Sequence, residues 1–196
     1  ELHLARSGAR RDANGNPVLL LDQNRARWDR LLIRRGLAAL GRADALGRKR
    51  GPYALQAAIS ACHARANVAA DTNWRLIAAL YAELYEIMSS PIVELNRAIA
   101  VSMADGPAAG LAIVDVLRDD PSLEGYHLLP SARADLLMKL ERYEEAAAEF
   151  EHAASLARHD RDRALLLERA EECASKTPAK APRTSSRPPK KSRSKP

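Results

Sequence analysis

Large flat side chains are scarce: one Phe, two Trp and five Tyr in 196 residues. With Ala and Leu dominant in a 46% hydrophobic chain, the core must be filled by small and aliphatic side chains, which favours packed helices over sheets. Cysteine is nearly absent. Cys62 and Cys173 stand far apart in no metal-binding spacing, which excludes a disulfide framework and a zinc site. The pair fits a reducing cytoplasm, with both thiols buried or inert. No apolar run approaches the ~18 residues that a membrane helix needs, so no membrane partner is expected. The chain opens at Glu1 rather than Met, with no charged n-region followed by an apolar h-region. The expectation is a soluble protein and a fragment of something longer.

Catalytic signatures are missing as well. The five histidines, at 3, 63, 127, 152 and 159, have no metal-ligand spacing, and there is no nucleophile elbow or Gly-rich phosphate loop. Cys62 and His63 are adjacent, so on a helix they point about 100° apart and cannot form an activated pair. The residues Asp12, Asn14 and Asn16 suggest a calcium loop only superficially: the Gly falls at the wrong position and the closing Glu is missing. No enzyme activity, cofactor or metal is expected.

What is present is charge, unevenly spread. Residues 1–50 hold 12 Lys/Arg against 5 Asp/Glu, residues 51–174 hold 11 against 20, and residues 175–196 hold 8 against none. Two basic flanks therefore enclose an acidic middle, a pattern of interaction arms. The tail, SKTPAKAPRTSSRPPKKSRSKP, has no large apolar side chain and is expected to be disordered. It either keeps the chain soluble or contacts nucleic-acid phosphates through Lys190, Lys191 and Arg193.

The middle repeats itself. With an offset of 36 residues, Ala98 meets Ala134, Val101 meets Leu137, Gly110 meets Ala146, Val114 meets Phe150 and Leu117 meets Ala153. Small faces small and large faces large. The periodicity predicts helices over 92–104, 107–118, 130–140 and 143–157, with turns at Asp105-Gly106-Pro107 and Glu141-Arg142-Tyr143. One period earlier, Cys62, Trp74, Ala78 and Tyr81 fall under Ala98, Gly110, Val114 and Leu117. There Trp replaces a small residue, and the linker NVAADTN is long, so the hairpin 52–66 with 73–88 must pack differently. A last helix over 161–174, with Leu165 and Leu166 on an apolar side, reads as a terminal cap. Small residues recurring where paired helices cross are what stacked helical hairpins require. The series Ala134, Leu137, Tyr143, Ala146, Phe150, Ala153 resembles the tetratricopeptide (TPR) repeat. The predicted fold is all-α: TPR-like hairpins forming an α-solenoid over 51–174, preceded by an arginine-rich connector over 1–50 and followed by the tail.

Longer stretches narrow the reading. GPYALQAAISACHA (51–64), SPIVELNRAIAV (90–101) and GYHLLPSARADLL (125–137), with DANGNPVLLLDQNRARWDR (12–30) upstream, resemble the C-terminal extension of one subgroup of extracytoplasmic-function sigma factors. In that family a TPR-like extension follows sigma regions 2 and 4, which bind promoter DNA and core RNA polymerase. Nothing in the 196 residues resembles either region. The resemblance implies an accessory module that supports or regulates promoter-specific transcription initiation, its groove holding the protein's own sigma domains or a regulatory protein. A stand-alone TPR-like adaptor is the alternative.

Candidate contact residues follow. Glu94, Asn96, Arg97 and Arg133 project from the first helices of the repeats, which line the groove in this architecture, and His127 stands before such a helix, to meet a partner or cap the helix. Arg97 and Arg133, in register, are expected to pair with one acidic partner segment or with Glu94 and Asp135. Upstream, Asn14-Gly15 favours a tight hairpin turn before the apolar run Val18–Leu21. Asp22 is expected to cap a helix with Trp28, Leu31, Leu32 and Gly36 on one face. Arg25, Arg27, Arg30, Arg34 and Arg35 surround that face. They are expected to dock on the acidic repeats, with Arg27, Trp28 and Asp29 at the contact; polymerase contact or a solvated face are the alternatives.

Overall fold

The structure is a computed structural model, which describes residues 1–13, 15 and 18–176. The expected tail contacts Lys190, Lys191 and Arg193 lie outside the described residues. Among the described residues there are eight α-helices and four short 3-10 turns, and no helix is long and apolar enough to cross a membrane. The chain is all-helical. Helix α1 is Arg30–Ala45, α2 Pro52–Arg65, α3 Trp74–Met88, α4 Pro91–Asp105, α5 Pro107–Leu117, α6 Leu128–Lys139, α7 Tyr143–Leu156 and α8 Asp160–Lys176.

Local chemistry sets most of the ends. Pro52, Pro91 and Pro107 occupy the first turn of α2, α4 and α5, where a missing N–H costs nothing and φ is already helical. Asn73 caps α3 by accepting from the Leu76 N–H at 3.0 Å. A single residue, Gly106 with φ of 100°, links α4 to α5, a backbone value that side-chain-bearing residues avoid.

Each helix packs chiefly on its neighbours in the chain. Helices α4 and α5 cross at close range. A Cβ added at Gly110 would stand 2.5 Å from the Ser102 Cβ and 2.7 Å from the Ala98 carbonyl oxygen, so only glycine permits this approach. Ala98, Ala134, Ala146 and Ala153 are all fully buried.

The buried side chains form two clusters that meet along α4. Val93 and Ala100 turn toward the N-terminal cluster, whereas Leu95 and Ala98 join the C-terminal one, built on Val114, Leu137 and Phe150. Residues 1–45 are part of the first cluster: Leu2, Ala5, Ala9, Trp28, Ile33 and Leu40 share it with Leu55, Ile77, Leu80 and Leu84. Leu2 lies over Gly36, where an added Cβ would come within 2.7 Å of the Leu2 Cγ. The division at residue 50 is therefore not a division of the core.

Three expectations are corrected. Helix α1 begins at Arg30, and its cap is Asp29, whose carboxylate accepts from the Leu31 and Leu32 N–H groups at 2.8 and 3.0 Å; Asp22 lies in a turn. The buried face of α1 is Ile33, Gly36 and Leu40, while Leu31 is 55% exposed. In α3, where Trp74 and the longer linker imply a different packing, the buried series is Ile77, Leu80 and Leu84, and Trp74, Ala78 and Tyr81 are half-buried. At the C-terminus α8 turns Leu166, Ala170 and Cys173 inward, leaving Leu165 exposed, and the Arg169 guanidinium stacks 4.4 Å from the Phe150 ring centre.

The Gly110 crossing is testable. Gly110→Ala is expected to lower stability by about 1–3 kcal/mol through overpacking, measured by urea denaturation followed by circular dichroism. Gly41→Ala, within α1 and with open space around its Cβ position, is the matched control and should not lower stability.

Candidate functional site

Helices α4 and α6 lie side by side and leave a cleft of about 220 Å³ between them. Leu95, Asn96 and Ile99 line one wall, Leu128, Asp135 and Lys139 the other, with Tyr126 completing it. Ile99 and Leu128 remain 40% and 46% exposed, so the cleft offers apolar surface edged by an amide, a carboxylate and an ammonium. The Asn96 amide is turned back on its own helix, donating to the Ile92 carbonyl at 2.9 Å. Asp135 is paired with Arg169 of α8.

The two arginines in sequence register do not share a setting. Arg97 makes a two-pronged pair with Glu94 on its own helix, at 2.7 and 2.6 Å, and that hydrogen bonding raises its pKa against the opposing effect of burial. Arg133 is buried away from the cleft. It donates to Asp115 on α5 and Glu149 on α7, each at 2.7 Å. Burial works against its charge, and the two carboxylates outweigh that and raise its pKa. The expectation that Arg133 pairs with Asp135 or a partner segment is corrected, and the reason is visible in the repeat. Thirty-six residues after Glu94 stands Pro130, so Arg133 has no carboxylate one turn back, while Asp115 and Glu149 correspond to Ala79 and Ile113 around Arg97. His127 is half-buried with its ring 6.3 Å from that of Tyr126, and its side chain makes no cap bond to α6.

A second constellation lies at the N-terminal end. Trp28 is 3% exposed and belongs to the core, Asp29 is occupied as the cap of α1, and Arg27 is exposed, reaching the Arg11 carbonyl at 3.5 Å. The residue that reaches the end of α2 and the linker to α3 is Arg25. At 5% exposure its guanidinium donates through Nη1 to the carbonyls of His63 and Ala66, at 2.7 and 2.9 Å, and through Nη2 to the Thr72 hydroxyl at 3.0 Å. Its carbon also sits 4.9 Å from the centre of the Trp28 ring, a cation–π geometry. These acceptors end α2 and form the NVAADTN linker, so one cation binds the linker together. The bonds go to uncharged oxygens, and Asp71 acts on Arg25 only through its field. Burial pushes the Arg25 pKa down, with Asp71 opposing, yet a guanidinium stays protonated.

Sequence reasoning missed Arg25 because five arginines crowd residues 25–35 with nothing in their spacing to single one out. The one available signal was the linker itself. A loop with several free carbonyls beside a helix end needs donors, and a planar five-donor group supplies them. His63, 7% exposed, packs edge-on against Trp74 with ring centres 5.2 Å apart. Burial lowers its pKa to about 4, helped by the charges of Arg6, Arg25 and His3. Both thiols are buried, and burial pushes each upward. Among the described residues no three His, Cys, Asp or Glu side chains converge as a metal site requires.

With this geometry in place, comparison with known proteins adds two findings. Residues 1–44, which hold Arg25, Trp28 and most of α1, match a family of unknown function, DUF6596. The chain is similar to the uncharacterized protein R00370 of Rhizobium meliloti (strain 1021), at 43% identity over 165 residues, 84% of this chain. The match spans 38% of that protein's length. No solved structure matches the chain.

Two outcomes test the joint. Arg25→Met is expected to cost about 2–4 kcal/mol, because the linker oxygens lose their buried donors, whereas exposed Arg27→Gln should stay within about 0.5 kcal/mol; chemical denaturation of both variants decides. His63 is neutral in the fold, so its contribution is present above its ordinary value of 6.5 and is lost as the pH falls toward about 4. Stability should drop over that window, and the drop should be smaller in His63→Gln when midpoints are compared across pH.

Proposed function

We propose that this chain is the accessory helical module of an extracytoplasmic-function sigma factor, working by holding other protein segments and not by chemistry. The observation that carries the reading is where the resembling segments lie. Residues 51–64 are helix α2, 90–101 are most of α4 and 125–137 are most of α6, the first members of three successive hairpins, while 12–30 carries the Arg25 joint. A resemblance running over about 12–174 with its motifs in these segments touches both the shared core and the α4–α6 cleft, so it is not the trace of one amphipathic helix.

The finer fold belongs to the same proposal: a TPR-type stack from α2 to α7, covered at its end by α8. It is supported by the burial of residues one period apart. Ala98 with Ala134, and Val114 with Phe150, are all fully buried, and Gly110 and Ala146 are the small residues of their helices' inner faces. In this mechanism promoter and core-polymerase contacts belong to sigma regions outside these 196 residues. The α4–α6 cleft then receives an apolar segment of those regions or of a regulatory protein, seated on Ile99 and Leu128. The long unmatched part of the R. meliloti relative is consistent with a module working within a larger protein. A cytoplasmic location follows from the proposed role.

The test uses the gene product as the cell makes it, added to core RNA polymerase in run-off transcription from a cognate promoter. Promoter-specific starts are expected, and they should fall severalfold with Ile99→Asp plus Lys139→Glu, both at partly exposed cleft positions. A folded product that directs no specific start overturns the sigma reading. Undiminished starts from the variant overturn the role of the cleft.

A further inference from the structure

The unsatisfied polar groups of the core gather in one place. Among the described residues, the buried side-chain atoms without a hydrogen-bond partner are Gln23 Oε1, Arg25 Nε, Trp28 Nε1 and His63 Nδ1. Three of them, on Arg25, Trp28 and His63, belong to the Arg25 joint, and these residues are 5%, 3% and 7% exposed. Two of the four atoms, Arg25 Nε and Trp28 Nε1, are N–H donors. Buried donors without acceptors are costly.

The charges nearby have the same sign. The Arg6 guanidinium carbon lies 5.8 Å from the centre of the Trp28 ring that also carries Arg25, so two cations share one indole. No carboxylate bonds either of them among the described residues. Asp71 acts on Arg25 only through its field. The half-buried Arg6 feels burial first, then Arg10 and Arg25, with only Tyr81 opposing. Partly desolvated like charges repel, and an arrangement that keeps them together calls for negative charge from outside.

We propose that Arg6, with Arg25 on the same Trp28 indole, forms a binding site for a small oxyanion, a carboxylate or a phosphate. The parts have separate tasks. Arg6 is partly open to solvent, and its guanidinium carries the paired N–H donors that can grip two oxygens of one anion. Arg25 has its Nη groups committed to the linker and supplies field rather than contact. A bound anion relieves the repulsion between the two guanidinium groups that share the Trp28 indole. The site is independent of the sigma-factor reading and survives if that fails.

The test follows the indole N–H resonance of Trp28 in the 15N-labelled full chain while sodium phosphate, sodium acetate and sodium chloride are titrated at constant ionic strength. A saturable shift with phosphate or acetate, absent with chloride, is expected. The apparent Kd should weaken about tenfold or more in Arg6→Gln, the loss of one charge-assisted contact, and stay unchanged in Arg42→Gln on the exposed face of α1. Saturation by phosphate alone identifies a phosphate site, and equal saturation by acetate a carboxylate site. Equal responses to all three salts, or an Arg6→Gln curve that overlays the native one, overturn the proposal. Should Arg6→Gln fail to fold by circular dichroism, Arg6→Lys, which keeps the charge and loses the planar edge, serves in its place with the same expected weakening.

Discussion

A single buried guanidinium organises the N-terminal half of the molecule. Arg25 spans the end of α2 and the linker to α3, satisfying the oxygens of His63, Ala66 and Thr72 at once. No Lys could do this, since a point ammonium lacks the planar fork that reaches acceptors on two sides. The geometry accounts for the long linker: eight residues separate α2 from α3, where one separates α4 from α5. It also accounts for the slipped burial pattern of α3, where Ile77, Leu80 and Leu84 replace the positions expected from the later hairpins. The first hairpin is shaped around a foreign side chain, and the later ones are shaped around each other.

The second constraint is the close approach of backbones at small residues. Gly110 against Ala98 and Ser102 brings α4 and α5 together, and this leaves α4 with two apolar faces, one for each core cluster. Helix α4 is thus the joint between halves, and the cleft it forms with α6 lies beside that joint. Any segment bound there would bear on both clusters.

Much of this was legible in the residues. The predicted helices from 52 onward agree with the structure to within about two residues at each end, because Pro at the first turn, Gly106 at a positive φ and alternating small and large apolar residues are local signals. The start of α1 was misplaced because Asp22 and Asp29 are equally good caps in sequence. Trp28 then settled the matter by burying itself outside the helix, leaving Asp29 to cap. Arg133 was misread for a related reason. Its partners Asp115 and Glu149 are 18 and 16 residues away, beyond what helical spacing relates.

Composition and periodicity alone determined the helical class, the hairpin spacing and the acidic middle, since these depend on local propensity and on which residue types recur. Tertiary structure decided which of many arginines is buried, which is paired and which is left to share an indole without a carboxylate. The physical reason is that charge is read by its surroundings: a guanidinium's role depends on the oxygens and rings that distant segments bring to it, and one-dimensional spacing carries no record of those encounters.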